Sequence, residues 1–127
     1  MPENRILVCV TDQPECARLI RKGRELASAA PSALYVLHVR TRQKTLMGSQ
    51  DISSVLNQLY AAAREAEAEM EIISSPEVEK TIAEYARSRQ ISTVVIGASP
   101  RDGRPPMKTR LEALLPDTVI VSGAERV

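Results

Sequence analysis

The chain is 127 residues long, the length of one domain, and its 43% hydrophobic and 26% charged residues are ordinary for a globular protein. A net charge of +1 favours neither nucleic acid nor a membrane surface as a partner. Its only aromatic residues are three tyrosines, which weighs against the stacking surfaces that bind single-stranded nucleic acid. We therefore expect a single domain over residues 1–127 with neither kind of partner.

Apolar segments and cysteines indicate the compartment. The first ten residues, MPENRILVCV, lack the long apolar segment of a signal peptide, and no apolar run approaches the roughly 18 residues of a membrane span. Cys9 and Cys16, together with His38, are too few for a zinc site, and both cysteines are expected to be small buried residues. These features predict a cytoplasmic protein without a metal site.

Apolar, β-branched segments alternate with helical patterns along the chain. The first strand is expected over Arg5–Thr11, and a helix follows whose start has the capping-box spacing of Asp12 and Glu15. Tyr60 and Tyr85 lie on apolar helix stripes and are expected in the core. The other predicted strands are Ala33–Val39, Glu69–Ser74, Ile91–Gly97 and Asp117–Ser122, and the other predicted helices are Asp51–Met70, Ser75–Gln90 and Pro105–Leu115.

The βαβαβαβαβ order predicts an α/β fold. Strands that read as continuous apolar runs between helices indicate a doubly wound, five-stranded parallel sheet covered by helices on both faces. In such folds ligands bind outside the carboxyl ends of the strands, where the strand order reverses. The residues directly after each strand are therefore the informative ones.

Basic residues collect after the predicted strands. Thr11 and Asp12 follow the first strand, whereas residues 64–84 carry seven acids and two bases. The segregation favours an anionic ligand at the carboxyl ends, although solvated loop side chains remain an equally good interpretation. The basic and small residues after the second and fourth strands are Arg40, Arg42, Lys44, Gly97, Ser99, Arg101, Arg104, Lys108 and Arg110.

Three segments, RILVCVTDQPECARLIRKGRELA, LYVLHV and IAEYARSRQISTVVIG, resemble the universal stress protein family. The segments RILVCV and RLIRKGRELA resemble in particular the universal-stress-type domain of bacterial potassium-sensing histidine kinases. The resemblance implies an adenine-nucleotide alpha-hydrolase-like sheet of order 3-2-1-4-5. It also implies a homodimer, with a sensor kinase or a transporter as a possible further partner.

The resemblance also implies a nucleotide site. By match, Asp12 would hold the adenosine side, and the backbone near Val39 would border the adenine. The candidate nucleotide-binding residues are Thr11, Asp12, Val39, Arg40, Gly97, Ala98, Ser99, Arg101 and Arg104.

The loop after the fourth strand departs from the pattern of the family. Nucleotide-binding members have Gly-x2-Gly-x9-Gly-Ser/Thr, but with the first glycine at Gly97 the other positions hold Pro100, Arg110 and Leu111. Proline has no N–H to offer a phosphate, and an arginine side chain occupies space where the backbone would approach it. We expect that this loop does not hold ATP in the usual manner.

No catalytic arrangement is evident. Neither a Ser-His-Asp nor a Cys-His arrangement is present, and no metal-binding carboxylate pair accompanies the loop, so an ATP-hydrolysing enzyme is the least favoured class. The expected function is a non-enzymatic regulatory or sensory domain for stress response. The alternative is a binding domain for an anionic small molecule, ATP or another nucleotide, at the carboxyl ends of strands one and four.

The last strand predicts the mode of assembly. It carries no charge and no proline, and an exposed edge of this kind tends to be paired or covered. The candidate interface of a two-fold homodimer is Thr118, Val119, Ile120, Val121 and Ser122.

Overall fold

Strands and helices alternate in the computed structural model, which describes residues 4–10, 16–28, 32–40, 49–97 and 107–122. The pattern confirms the predicted order, and most boundaries shift by only a few residues. The elements are β1 (Asn4–Val10), α1 (Cys16–Ala27), β2 (Ser32–Arg40), α2 (Ser49–Glu65), β3 (Glu69–Ser74), α3 (Val78–Ser88), β4 (Thr93–Ile96), α4 (Met107–Leu114) and β5 (Val119–Ser122).

All five strands form one parallel sheet in the order β3-β2-β1-β4-β5. Strand β1 is central, and Leu7 lies opposite Tyr35 of β2 on one side and Val94 of β4 on the other. The chain adds strands outward from β1 to β3 and then crosses back to β4. The strand order therefore reverses between β1 and β4, and the predicted fold class is confirmed.

Alternate side chains of the central strands enter two separate cores. Leu7 is fully buried on the face covered by α3 and α4, and Val8 is fully buried on the face covered by α1 and α2. This two-sided burial explains why β1 reads as an uninterrupted apolar run. The helix residues that fill the two cores are Ile82, Ala83, Tyr85, Ala86, Leu111 and Leu115 on the first face, and Ile20, Leu59 and Ala63 on the second.

Gly23 lets α1 approach the sheet closely. A Cβ atom at this position would lie 2.5 Å from Cγ2 of Val8 and 3.1 Å from Cδ1 of Leu34. Both neighbours belong to the buried core, so the glycine sets the distance between helix and sheet.

Helices α2 and α3 end in the same hydrogen-bonded turn without a glycine. Glu67 and Gln90 have left-handed backbones, with φ of 57° and 54°. The N–H of the residue after each of them donates to a carbonyl five residues earlier, at 2.8 Å after α2 and 2.9 Å after α3. This is the Schellman arrangement, which usually has glycine at the left-handed position.

The predicted start of α3, with Ser75 as the cap and Pro76 at the first helical position, is too early by two residues. The helix begins at Val78, and its N-cap residue Glu77 makes no side-chain capping bond. Ser75 Oγ instead accepts a hydrogen bond from the N–H of Glu77 at 3.1 Å, so Ser75 and Pro76 form a turn that precedes the helix.

One of the two tyrosines expected in the core is exposed. Tyr85 is 5% exposed, as predicted, but Tyr60 is 42% exposed. Leu59 and Ala63 occupy the inward positions of α2, and one residue of helix rotation carries Tyr60 out to solvent. His38 is also buried.

Candidate functional site

Three strand ends meet at the edge where a ligand is expected. Because β1 lies between β2 and β4, the carboxyl ends at Val10, Arg40 and Ile96 are neighbours. Val39 and Gly97, two of the candidate residues, lie at this edge. The sheet thus brings together the predicted positions that the structure describes.

Most of the candidate nucleotide site lies outside the described residues. Of Arg40, only the backbone at the end of β2 is described. The candidates outside the described residues are Thr11, Asp12, Ala98, Ser99, Arg101 and Arg104.

Val39 is partly buried at the end of β2. It lies opposite Ile73 of β3 and packs against the core beneath α3 and α4. Its side chain therefore has a structural role, and the backbone is the part of Val39 that a ligand at the strand ends would meet.

Gly97 directly follows β4, and the described structure does not require a glycine there. Its φ lies outside the left-handed region, and an added Cβ would meet Cδ1 of Leu19 at 3.4 Å, an ordinary contact distance. Unlike Gly23, Gly97 is thus free of a packing constraint among the described residues. Close approach by a ligand to the backbone is one use for a glycine in such a position.

The residues at the last two positions of the family's glycine-loop pattern make contacts inside this fold. Leu111, which stands where the family has Ser or Thr, is fully buried against Leu115 and Ile120. Arg110, which stands at the third glycine, forms an ion pair from Nη1 to Oε1 of Glu79 on α3. Nε of Arg110 is buried and has no hydrogen-bond partner among the described residues. Neither residue presents a hydroxyl or an open backbone approach to a phosphate.

Cys9 and His38 do not combine into a reactive pair. Cys9 packs against the core beneath α3 and α4, and burial raises the pKa of its thiol to about 12. His38 lies opposite Val10, so strand alternation places it on the other face of the sheet. The structure describes the backbone of Cys16 but not its side chain. No group of His, Cys, Asp or Glu suited to a metal ion occurs among the described residues.

A cleft that the sequence did not predict lies at the opposite, amino edge of the sheet. It has a volume of about 390 Å³ between the ends of α1 and α2 and the start of β2. Ala27, Leu34 and Ala66 supply apolar lining, and Glu67 and Glu69 supply carboxylates. No local sequence pattern marks this cleft, because its walls come from segments far apart in the chain.

An aromatic and ionic cluster covers the core near β3. Tyr35 and Tyr85 contact edge to face, with ring centroids 6.5 Å apart. The guanidinium of Arg89 lies 3.9 Å from the Tyr85 ring centroid and 3.5 Å from Oε1 of Glu71. Burial raises the pKa of Tyr85 to about 12, although Arg89 opposes the shift.

The candidate dimer interface is an exposed sheet edge. Strand β5 pairs with β4 on one side, and among the described strands nothing pairs with its other side. Val119 is 59% exposed, whereas Ile120 is 5% exposed because it points into the core beneath α4. Thr118 lies just before β5, and its N–H donates to the carbonyl of Leu115.

None of the helices in the described ranges has the length and apolar character needed to cross a membrane.

Comparison with known proteins identifies the family and the fold. The model of the universal stress protein family matches residues 3–108. A universal stress protein from Archaeoglobus fulgidus has 19% identity and a TM-score of 0.68, with 96% of this chain and 94% of that chain covered. No curated protein is similar enough in sequence to match the chain.

Two of the similar structures contain nucleotides. A universal stress protein in complex with cAMP has 14% identity and a TM-score of 0.70, covering 96% of this chain and 97% of that chain. A universal stress protein from Archaeoglobus fulgidus in complex with dAMP has 20% identity and a TM-score of 0.59, covering 96% of this chain and 98% of that chain. At these identities the likeness establishes the fold.

Proposed function

The chain belongs to the universal stress protein family, and we propose that it is a cytoplasmic, non-enzymatic regulatory or sensory domain that does not hold ATP in the usual manner. The observation that carries the proposal is the burial of Leu111 at the position of the phosphate-binding Ser or Thr. A fully buried leucine cannot donate a hydrogen bond to a phosphate, and turning it outward would open a cavity in the core.

Arg110 supports the same proposal. Its guanidinium is held by Glu79, so its positive charge is largely compensated where a glycine backbone would otherwise meet the phosphates. Pro100, outside the described residues, lacks the N–H that the second glycine of the pattern would supply.

Calorimetry with Mg-ATP tests the proposal. We expect no saturable binding in the micromolar range, and a micromolar dissociation constant would overturn it. Arg110→Gly is the informative variant, because it restores a glycine without emptying the core. Arg64→Gly, which removes an exposed arginine from the last turn of α2, is a matched control.

The second candidate function is binding of an adenine nucleotide with a single phosphate. Relatives of this fold have been solved with cAMP and with dAMP, neither of which needs a cradle for three phosphates. The unconstrained Gly97 at the carboxyl edge favours this alternative. Thermal-shift titration with cAMP and dAMP should then raise the melting temperature, and Asp12→Ala should reduce that shift.

Basic side chains after β4 would hold such a ligand electrostatically. Arg101→Ala with Arg104→Ala should weaken binding, and added salt should weaken it further because exposed charges are screened within about 10 Å at 0.1 M. A ligand insensitive to both changes would count against this alternative.

The proposed biological context is a homodimer that acts on, or forms part of, a sensor kinase or a transporter. The likeness of RILVCV and RLIRKGRELA to the domain of potassium-sensing histidine kinases supports this context. Co-purification with full-length candidate kinases tests it.

A further inference from the structure

Two helices end at the cleft on the amino edge of the sheet. Ala27 and Ser28 from the end of α1 line it, and so do Ala66 and Glu67 from the end of α2. The carboxyl end of a helix carries partial negative charge, because its last carbonyl groups all point the same way. Both helix dipoles therefore favour a positively charged group in this cleft.

The charged side chains of the cleft act in the same direction. Glu67 and Glu69 line it, and neither carboxylate forms an ion pair among the described residues. Arg24 is the only basic residue among those that line it, and its guanidinium donates to the carbonyl of Glu65. Two carboxylates against one guanidinium leave the lining with a net charge of −1.

The wall of the cleft favours an organic cation over a metal ion. Leu34 and Ala66 are buried there, and the small side chains of Ala27 and Ala33 leave space beside them. The volume of about 390 Å³ lies within the range of small-molecule sites, which combine apolar walls with a few polar groups. A hard metal ion needs a shell of oxygen ligands and gains nothing from such a wall, whereas an aliphatic chain would bury apolar surface against it.

We propose that this cleft binds a small aliphatic diamine, with the chain against Ala33 and Leu34 and the ammonium groups at Glu67 and Glu69. The Cα atoms of the two glutamates are at most about 7 Å apart, the reach of two extended residues. One short ligand can therefore reach both carboxylates. Each ammonium group would donate charge-assisted hydrogen bonds to a carboxylate.

This site is separate from the nucleotide site. It lies at the amino edge of the sheet, whereas the candidate nucleotide residues lie at the carboxyl edge. The inference goes beyond the proposed regulatory function by naming a ligand class that such a domain would respond to. Failure to bind a diamine would leave the calorimetric test with ATP unaffected, so the two proposals can fail independently.

Calorimetric titration of the full chain with putrescine at low ionic strength tests the site. We expect saturable binding with a dissociation constant below about 1 mM, and no saturable heat from the neutral diol of the same chain length. Glu67→Gln with Glu69→Gln should weaken binding about tenfold, because two exposed charge interactions are lost. Glutamine suits the left-handed backbone at Glu67, since Gln90 has φ of 54° in the equivalent turn after α3.

Two further variants separate the cleft from bulk charge. Glu84→Gln with Glu112→Gln removes two exposed carboxylates from α3 and α4 and gives the same net charge as the test variant. This control should retain the affinity of the parent within about twofold. Ala33→Leu fills the apolar side of the cleft without changing the charge, and it should weaken binding about tenfold in a protein that circular dichroism shows to be folded.

Each of four results would overturn the proposal. The first is the absence of saturable binding to putrescine, and the second is equal weakening by Glu84→Gln with Glu112→Gln. The third is unchanged affinity in folded Ala33→Leu; if that variant does not fold, the glutamate variants decide. The fourth is full competition by Mg²⁺ at the concentration of putrescine, which would reduce the cleft to an acidic surface without preference for an organic cation.

Discussion

Replacement of Gly23 by alanine should destabilise the protein, although alanine is the better helix former. In an exposed helix the change would stabilise by about 0.5–1 kcal/mol, because alanine loses less backbone freedom on folding. Here the new Cβ would lie 2.5 Å from Cγ2 of Val8 and 3.1 Å from Cδ1 of Leu34. Both side chains are in the core, and the β-branched Val8 has little rotational freedom with which to move away.

The steric cost of the added methyl group should exceed the gain in helix propensity. Overpacking a core by one methyl group costs about 1–3 kcal/mol. A contact of 2.5 Å with the stiff Val8 side chain belongs in the upper part of that range, about 2–3 kcal/mol, so the net loss should be about 1–2 kcal/mol after the propensity gain. For a chain of 127 residues, 1 kcal/mol corresponds to roughly 4 °C in Tm. Thermal and urea denaturation followed by circular dichroism should therefore show Tm lowered by about 4–8 °C.

Two further variants distinguish the steric cause from a general intolerance of mutation. Val8→Ala removes the colliding methyl groups, so Gly23→Ala should cost less in that background, with a coupling of about 1–2 kcal/mol. Gly97→Ala adds a Cβ at an ordinary 3.4 Å from Leu19, and its effect should stay within about 0.5 kcal/mol. Unchanged or increased stability of Gly23→Ala alone would refute the reasoning.

Three other predictions concern stability, pH and assembly. Gln90→Gly should stabilise by about 0.5–1 kcal/mol in urea denaturation, because φ of 54° suits glycine, while Gln90→Ala should bring no gain. The pKa of the Cys9 thiol rises from 9.0 to about 12 on folding, so its contribution to the free energy of unfolding is complete below pH 9 and is lost as the pH rises towards 12. In Cys9→Ala the denaturation midpoint should therefore fall less steeply between pH 9 and pH 12 than in the parent protein. Val119→Lys should convert the homodimer expected through β5 into a monomer by light scattering, and a parent protein that is already monomeric would contradict the interface.

The structure shows which side chains of the edge strand β5 face solvent, and this is why Val119 is the residue to replace. The apolar run Thr118–Ser122 predicts a strand but does not say which side chains face the core. Ile120 is 5% exposed and Val119 is 59% exposed, so a lysine at Ile120 would unfold the core beneath α4 and would report nothing about assembly.

The sheet order and helices could be predicted because their signals are local or repeat with a fixed period. Two-sided burial makes residues 6–10 of β1 and 94–96 of β4 a continuous apolar run, and the order 3-2-1-4-5 follows from the family resemblance. The ends of the helices were harder to predict from the sequence. The turns after α2 and α3 use Glu67 and Gln90 where a glycine would have marked the end, so the predicted helices run on too far.

The candidate site depends on the rotation of α4 about its axis, which hydrophobic spacing constrains only loosely in a helix of eight residues. One residue corresponds to about 100° of rotation, enough to exchange a core position for a surface one. In the observed orientation Leu111 points into the core and Arg110 reaches Glu79, 31 residues earlier in the chain. A loop comparison shows that two pattern residues are replaced. The three-dimensional arrangement shows that both replacements are built into the packing of α4 on α3, so restoring a phosphate loop would require changes in the core as well as in the loop.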